Sequence, residues 1–596
     1  MQWQEVLIES GLWLAKAYAL TLVVGAIVVW GLTRFTRWGR QFRRLSAGYF
    51  SLRRSWKPLA GVALILLLTL AAVRLDVLFS NWYNTMYSAL QALDEPGFWA
   101  AMLLFSLLAA VHVVRSLFDF YVQQAFVVHW REWLNEQLLS RWMQGQAYYR
   151  SQSLSHLADN PDQRIQQDIT SFAQNSMTLA VGLINALVST IAFTVILWNL
   201  SGPMTVLGHE IPRAMVFLVF IYVFVATLLA IWIGKPLIRL NFLNEKLNAD
   251  YRYALVRVRE YAESIAFYRG ERVEGRTLRS GFAQVIGNAW DIIHRSLKFL
   301  GFNFVVTQTA VVFPFILQAA RFFSKQISLG DLIQTAQAFG RLQDNLSFFR
   351  NIYDSFATYR ATLERLAGFD DAIDAARAME LPHTRQDGGR LALLGVTVNR
   401  PDGHALIRDL SLEVSPGQPL LVRGPSGSGK TTLLRMIAGI WPHGSGEIIR
   451  PDSSALFLAQ KPYLPLGTLR QALHYPQPAD AVPPGQDEAI LDRVQLGHLR
   501  DRLDVEDDWS RILSLGEQQR LAFGRLLIAR PQAAFLDEAT SAMDEGLEDA
   551  MYRLLREQLP EARIISVGHR GTLRRHHGFE LSLQGESGGW TLKPIE

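Results

Sequence analysis

The 596-residue chain contains no cysteine. Disulfide bridges, thiolate metal sites and cysteine nucleophiles are therefore excluded, although the absence decides nothing about compartment. Charge is also scarce. Only 19% of residues are Asp, Glu, Lys or Arg, against 49% hydrophobic, and the mean hydropathy is +0.11. The scarcity is uneven: long apolar runs crowd the N-terminal part, while roughly the last 210 residues read as a soluble α/β protein. A chain of this length is too long for one ordinary core, so at least two domains are expected. Acidic residues are missing from 34–57, which carries Arg34, Arg37, Arg40, Arg43, Arg44, Arg53, Arg54 and Lys57.

Runs long enough to cross a bilayer lie near 11–33, 58–80, 98–125, 175–200, 214–235 and 299–320. The first has no basic flank before it, an apolar part too long for a signal sequence and no small-residue cleavage site after it. It is expected to be a retained span. The basic loop 34–57 has two readings, an anionic-polymer patch or an orientation signal. Its place between two spans favours the second, which puts it in the cytoplasm and excludes nucleic acid as the expected partner. NWYNTMYSALQALDEP, with two acids and no base, then faces outside. Alternation places the N-terminus outside and the long polar stretches 129–174 and 236–296 in the cytoplasm. These are too long for connectors, so membrane helices are expected to run on into the cytoplasm, turn and return.

A further membrane helix is expected at 329–352, which hydropathy alone would miss. Gln334, Gln337, Arg341 and Asp344 recur at spacings of three, four and three and so share one helical face. Lipid would not tolerate that stripe, whereas a water-filled cavity would. The basic residues Arg321, Lys325 and Arg341 near it would favour an anionic cargo group, although two of them sit at the outer interface where snorkelling is the plainer account. His112, Arg115 and Asp119 share a face of the third run, where an Arg115–Asp119 pair reads as structural. NPDQRIQQDI (160–169) and EYAESIAFYRGE (260–271) are candidate coupling segments, with Glu263 singled out.

The periodicity fades at 366–388, where a linker is expected. Beyond it, GPSGSGKTT follows a predicted strand and opens a predicted helix, the phosphate-loop pattern from Gly424 to Lys430 with Thr431. In the loop of Gly424, Pro425, Ser426, Gly427, Ser428 and Gly429 the glycines would let backbone amides converge on the β- and γ-phosphates, and the helix start adds partial positive charge. Lys430 supplies a point charge, Thr431 a hydroxyl for Mg²⁺, and Thr432 continues the helix. AAFLDE (533–538) reads as a buried strand delivering Asp537 to the metal and Glu538 to the attacking water as general base.

The order GPSGSGKTT, FLAQKPYLPLGTL, LSLGEQQR, FLDEATSAMD and SVGHR resembles the nucleotide-binding domain of ATP-binding cassette (ABC) transporters over 390–570. The resemblance implies that Gln460 ligates Mg²⁺, that Ser514, Gly516 and Glu517 form the signature motif, and that Ser541–Asp544 form the D-loop. It makes His569 the switch histidine. The signature departs from LSGGQ at Leu515 and Glu517, and the position expected to stack on adenine holds Asn399-Arg400-Pro401, where Arg400 is the available planar group. In the membrane half, VVHWREWLNEQLLSRW (127–142), NPDQRIQQDI, EYAESIAFYRGE and GDLIQTAQAF resemble the SbmA/BacA-like and subfamily D membrane domains, YddA-type fused transporters among them.

The implied fold is a helical membrane domain of the type IV, exporter-like kind, with about six core spans plus an N-terminal extra helix, fused to an α/β P-loop ATPase. The domains are expected at 1–57 (extra helix and basic loop), 58–365 (transmembrane), 366–388 (linker) and 389–596 (ATPase). The implied partners are a second copy, the lipid bilayer of a bacterial inner membrane and a transported small molecule or peptide. Relatives of this membrane domain suggest peptide-like or cobalamin-like cargo, with acyl-CoA or fatty acids as the alternative. A gating or scaffolding ATPase without cargo is the reading from another class; a polar path through the membrane half speaks against it.

Overall fold

The computed structural model describes residues 3–595 except 154–159, 203, 207–208, 388, 452–454, 479–484 and 586–587. It forms two compact units, one of 1–141 with 156–371 and one of 142–155 with 372–596.

The first unit is helical. Its elements are α1 (Trp3–Phe35), α2 (Arg37–Ser46), α3 (Lys57–Gln91) and α4 (Glu95–Met143). Short turns α5 (Ala147–Arg150), in the second unit, and α6 (Pro161–Gln163) precede α7 (Ile169–Leu200), the hairpin β1 (Met204–Val206) and β2 (His209–Ile211), α8 (Ala214–Glu260), α9 (Ala262–Tyr268), α10 (Glu271–Phe323) and α11 (Leu329–Ala378). The six apolar runs lie in α1, α3, α4, α7, α8 and α10, each long and apolar enough to cross a membrane. The 47 and 53 residues of α8 and α10 extend about 70–80 Å at 1.5 Å per residue. A hydrocarbon core of about 30 Å accounts for less than half of that, so these helices do run on well beyond the membrane.

Two devices brace this unit. The first is α2, whose start is capped by the Thr36 hydroxyl accepting from the Gly39 N–H at 3.0 Å. Its apolar side packs Trp38, Phe42 and Leu45 into a cluster with Tyr49, Trp130 and Phe172, while Arg37 pairs with Glu364 and Arg44 with Asp370 and Asp371 of α11. The second is a buried ion triad. Asp168 accepts from Arg164 at 2.6 Å and, bidentately, from Arg365 of α11 at 2.9 and 2.7 Å. Arg164 and Asp168 of the candidate coupling segment NPDQRIQQDI thus take part in internal bracing, while Asp162 is exposed.

The 366–388 segment expected as linker is helical as far as Ala378. Phe369, Ala372, Ile373 and Ala376 are all buried, and that i, i+3, i+4, i+7 spacing is an apolar helix stripe, which the neighbouring charges obscure. Arg115 ties α4 to α3 by donating to the Leu68 carbonyl at 3.0 Å and lies 3.4 Å from Asp119. That pair is structural.

The second unit is α/β. β3 (His383–Gln386), β4 (Leu391–Asn399), β5 (Ala405–Val414) and β7 (Gly444–Arg450) form one sheet in the order β3-β7-β4-β5. A six-stranded sheet is built from β6 (Leu420–Arg423), β8 (Ala455–Leu458), β11 (Ala533–Asp537), β12 (Arg563–Val567), β13 (Phe579–Leu583) and β14 (Trp590–Pro594), in the order β14-β13-β6-β12-β11-β8. All its pairings are parallel except the edge strand β14. Short strands β9 (Gly467–Thr468) and β10 (Glu506–Asp507) pair separately. Helices α12 (Lys430–Ile437), α13 (Leu469–His474), α14 (Gln486–Arg493), α15 (Trp509–Ile512), α16 (Leu515–Ala529) and α17 (Glu545–Gln558) complete the unit. The apolar runs LLV and AAFL behave as parallel strands buried on both faces should, without polar alternation.

Candidate functional site

Parallel strands deliver their following loops to one edge of the sheet, where ligands of open α/β folds bind. The register shows what arrives there. Val422 pairs with Val567, Val567 with Asp537, and Leu458 with Leu536. The residues just beyond these ends are the phosphate loop after β6, Gln460 after β8, Asp537-Glu538 at the end of β11 and His569 after β12. Four motifs far apart in sequence therefore converge because four strands lie side by side.

In the phosphate loop, Gly427 and Gly429 have φ of +80° and +94°, a region open to glycine at little cost. Pro425, Ser426 and Gly427 are exposed, whereas Ser428 and Lys430 are buried. Lys430 Nζ donates to the Gly424 and Pro425 carbonyls at 3.0 and 2.9 Å. Burial lowers its pKa, with the Glu538 and Asp537 carboxylates opposing. The Ser428 hydroxyl is buried without a hydrogen-bond partner. Thr431 donates to Asp537 at 3.1 Å, and burial raises the Asp537 pKa against that bond. Thr432 follows in the first turn of α12.

Glu538 is held in the left-handed region at φ +49°, uncommon for a residue with a side chain and typical of strained functional positions. Its N–H donates to the Val567 carbonyl at 3.0 Å. One carboxylate oxygen accepts from Gln460 Nε2 at 3.0 Å and the other lies 3.3 Å from His569 Nε2. The structure thus joins Gln460, Glu538 and His569 in one cluster. The donor set of Thr431, Gln460 and Asp537 is a hydroxyl, an amide carbonyl and a carboxylate. These are hard oxygens that fit Mg²⁺, and Asp537 already lies on Thr431.

Ser514 caps α16. Its hydroxyl accepts from the Glu517 N–H at 3.3 Å and donates to the Glu517 carboxylate at 2.8 Å, which also takes the Ser514 N–H at 2.9 Å. This capping box uses the Glu517 side chain locally, with His498 3.1 Å from its other oxygen. Burial pushes the Glu517 pKa up, but the Ser514 and His498 bonds outweigh it and hold it low. A Cβ at Gly516 would come within 2.9 Å of the Ala542 carbonyl, so only glycine brings this helix start against the D-loop. Among the described residues, no hydrogen bond or ion pair joins Ser514, Gly516 or Glu517 to the phosphate loop.

Gln519 belongs to the site although its type and position drew no notice in the sequence. Fully buried, its amide donates to the Gln460 carbonyl at 2.8 Å and the Ser541 hydroxyl at 3.1 Å, and accepts from the Ala542 N–H at 3.0 Å. It locks the signature helix to both neighbouring loops. Only its place inside the signature motif hinted at this. Arg400 lies in the turn after β4, donating its N–H to the His404 carbonyl at 2.8 Å. Beside it, Trp441 donates to the Asn399 carbonyl at 2.9 Å and packs edge-on against His443, so the aromatics of this corner come from a different part of the chain.

Residues 45–323 match the ABC transporter transmembrane region 2 family, and 407–541 match the ABC transporter family. An ABC transporter ATP-binding protein of Haemophilus influenzae is 51% identical over 99% of this chain and 100% of its own length. The inner membrane ABC transporter ATP-binding protein YddA of Escherichia coli is 33% identical over 85% of this chain and 91% of its own. Among solved structures, a bacterial Atm1-family ABC exporter with ATP bound superimposes with a TM-score of 0.67, covering 88% of this chain and 94% of that one at 18% identity.

Proposed function

The chain belongs to the ABC transporters, an integral membrane protein that couples ATP hydrolysis to transport, and on that premise we propose that two copies form the working unit. Each ATP would lie between the phosphate loop of one copy and the start of α16 of the other. The observation that carries this reading is the helix start itself. Ser514 and Gly516 present a helix N-terminus, a site of partial positive charge suited to a phosphate, yet they make no bond to their own phosphate loop.

In this arrangement the backbone N–H groups of Ser426–Gly429 and the Lys430 ammonium hold the phosphates. Thr431, Gln460 and Asp537 would hold Mg²⁺, which when bound neutralises charge on the β- and γ-phosphates. Glu538 takes the proton of the water that attacks the γ-phosphorus as the bond to ADP breaks. His569, 3.3 Å from it, keeps that carboxylate oriented. The basic residues of 34–57, with no acid among them, support a cytoplasmic ATPase domain by the positive-inside rule, and similarity to an inner membrane protein supports a bacterial inner membrane. NPDQRIQQDI (160–169) and EYAESIAFYRGE (260–271), with Glu263, are the candidate coupling segments.

The cargo we infer is hydrophilic or amphiphilic, because polar side chains line a recess in the membrane half. The SbmA/BacA-like part of the resemblance, resting on the membrane segments alone, adds peptide-like and cobalamin-like solutes as the classes to try. The test is reconstitution. Wild-type protein and Glu538→Gln are placed in liposomes, and ATP hydrolysis is measured with ATP-dependent movement of labelled peptide, cobalamin and acyl-CoA. The variant should bind ATP normally and hydrolyse it about 10²–10⁴-fold more slowly, with transport lost in step. Hydrolysis at the parental rate would remove Glu538 as the base. Vigorous hydrolysis with no solute moved would favour the scaffold reading.

A further inference from the structure

The polar residues of α11 form two sets. Those packed against other helices have partners there: Gln334 bonds Asn81 and Asn84 at 2.9 Å each, Arg341 bonds Asp76 at 3.1 Å, and Asn345 bonds Ser189 at 2.6 Å. Gln337, Gln343 and Asp344 instead face a recess of about 340 Å³ between α10 and α11 whose remaining lining is mostly apolar, Val311, Phe315 and Ile333 among it. None of the three makes a hydrogen bond or salt bridge among the described residues. Gln343 is only 6% exposed, and its amide is not among the buried unpartnered polar groups, so what little of it is accessible includes the polar end. The expected single stripe is thus divided. At about 100° per residue, 334 and 341 lie about 20° apart, as do 337 and 344, with roughly 60° between the pairs.

The charges of this region then fall into order. Arg341 is matched by Asp76 and Arg115 by Asp119. Arg321 donates to the Leu200 carbonyl at 3.3 Å and to Gln318 at 3.1 Å. Asp344 makes no ion pair of its own, Arg341 acting on it only at longer range, and it is the charged residue among those lining the recess, the reverse of the anion preference that the basic residues suggest in the sequence. An ionisable side chain inside the membrane half faces a path or a partner, not lipid.

We propose that this recess is a cargo subsite for a cationic group, an ammonium or guanidinium, with Asp344 as its counter-charge and the Gln337 and Gln343 carbonyls as further acceptors. The proposal rests on the transport reading above. A volume near 340 Å³ lies at the small end of ligand pockets, which suits one residue-sized group of a larger solute rather than the whole of it.

The full chain in liposomes tests it with three probes: a dansyl-labelled trilysine amide, its ε-acetylated neutral form and a triglutamate amide. The ATP-dependent change in luminal probe is followed against concentration. The trilysine probe should half-saturate at a concentration about tenfold or more below the acetylated one, as a charge-assisted bond implies. Asp344→Asn should bring that ratio close to one, and Asp344→Glu should keep it, which separates a counter-charge from a packing role. A wild-type preference for the neutral or acidic probe, or an unchanged ratio in Asp344→Asn, overturns the subsite and leaves transport standing. Hydrolysis without movement of any probe overturns both.

Discussion

Replacing Gln519 with leucine keeps most of the side-chain volume and removes every polar atom. Three hydrogen bonds disappear, to the Gln460 carbonyl, the Ser541 hydroxyl and the Ala542 N–H. At about 1 kcal/mol net each, their loss costs about 3 kcal/mol. Gln460, Ser541 and Ala542 all lie at exposed positions, so the groups left behind recover water and add little to that cost. About 2–4 kcal/mol is the expected total. For a domain of this size about 1 kcal/mol corresponds to about 2–4 °C, so the ATPase-domain transition should fall by about 5–15 °C in a calorimetric scan of the full chain. Turnover should fall as well, because Gln519 holds the loop that carries Gln460 to Glu538, while ATP affinity, resting on the phosphate loop, should change little. A variant that melts within about 1 °C of wild type and turns over normally would refute the assignment of Gln519 as the lock.

Two further outcomes follow from buried ionisable groups. Asp168→Asn removes the carboxylate charge that bridges Arg164, 8% exposed, and Arg365, and breaking a buried ion pair costs about 3–5 kcal/mol. Thermal unfolding of the membrane unit should show it, and a loss below about 1 kcal/mol would mean that the triad contributes nothing. His577 is buried with its ring nitrogens on the Leu573 carbonyl at 2.7 Å and the Ser566 hydroxyl at 2.8 Å, and burial pushes its pKa down to about 4. The unfolded chain therefore binds more protons between pH 4 and about 6.5. The neutral imidazole's contribution is fully present above about 6.5 and is lost as pH falls towards 4, up to about 3 kcal/mol. Melting of the ATPase domain from pH 7.5 to 5 should fall more steeply in wild type than in His577→Gln, and equal slopes would contradict the linkage.

Much of this protein was legible in the residues alone because its signals are local. An apolar run long enough for a bilayer is a property of contiguous residues, and so is a glycine-rich loop closed by Lys430 and Thr431. Asp537 and Glu538 were readable for the same reason, since a strand that ends in two acids carries its own context. The linker boundary was misjudged because charges around Phe369 and Ile373 hide an apolar stripe that shows only once something packs against it.

The sequence by itself determined that this is a membrane protein with an attached ATPase, and it named the residues expected at the nucleotide's phosphates. The tertiary structure decided which polar groups are left over. Gln334 and Asp344 look alike in a stripe, but Asn84, 250 positions away, satisfies one and no described residue satisfies the other. Gln519 is one glutamine among several until the loops of Gln460 and Ser541 close on it. Hydrogen-bond satisfaction is a property of neighbours in space, so composition and periodicity cannot supply it.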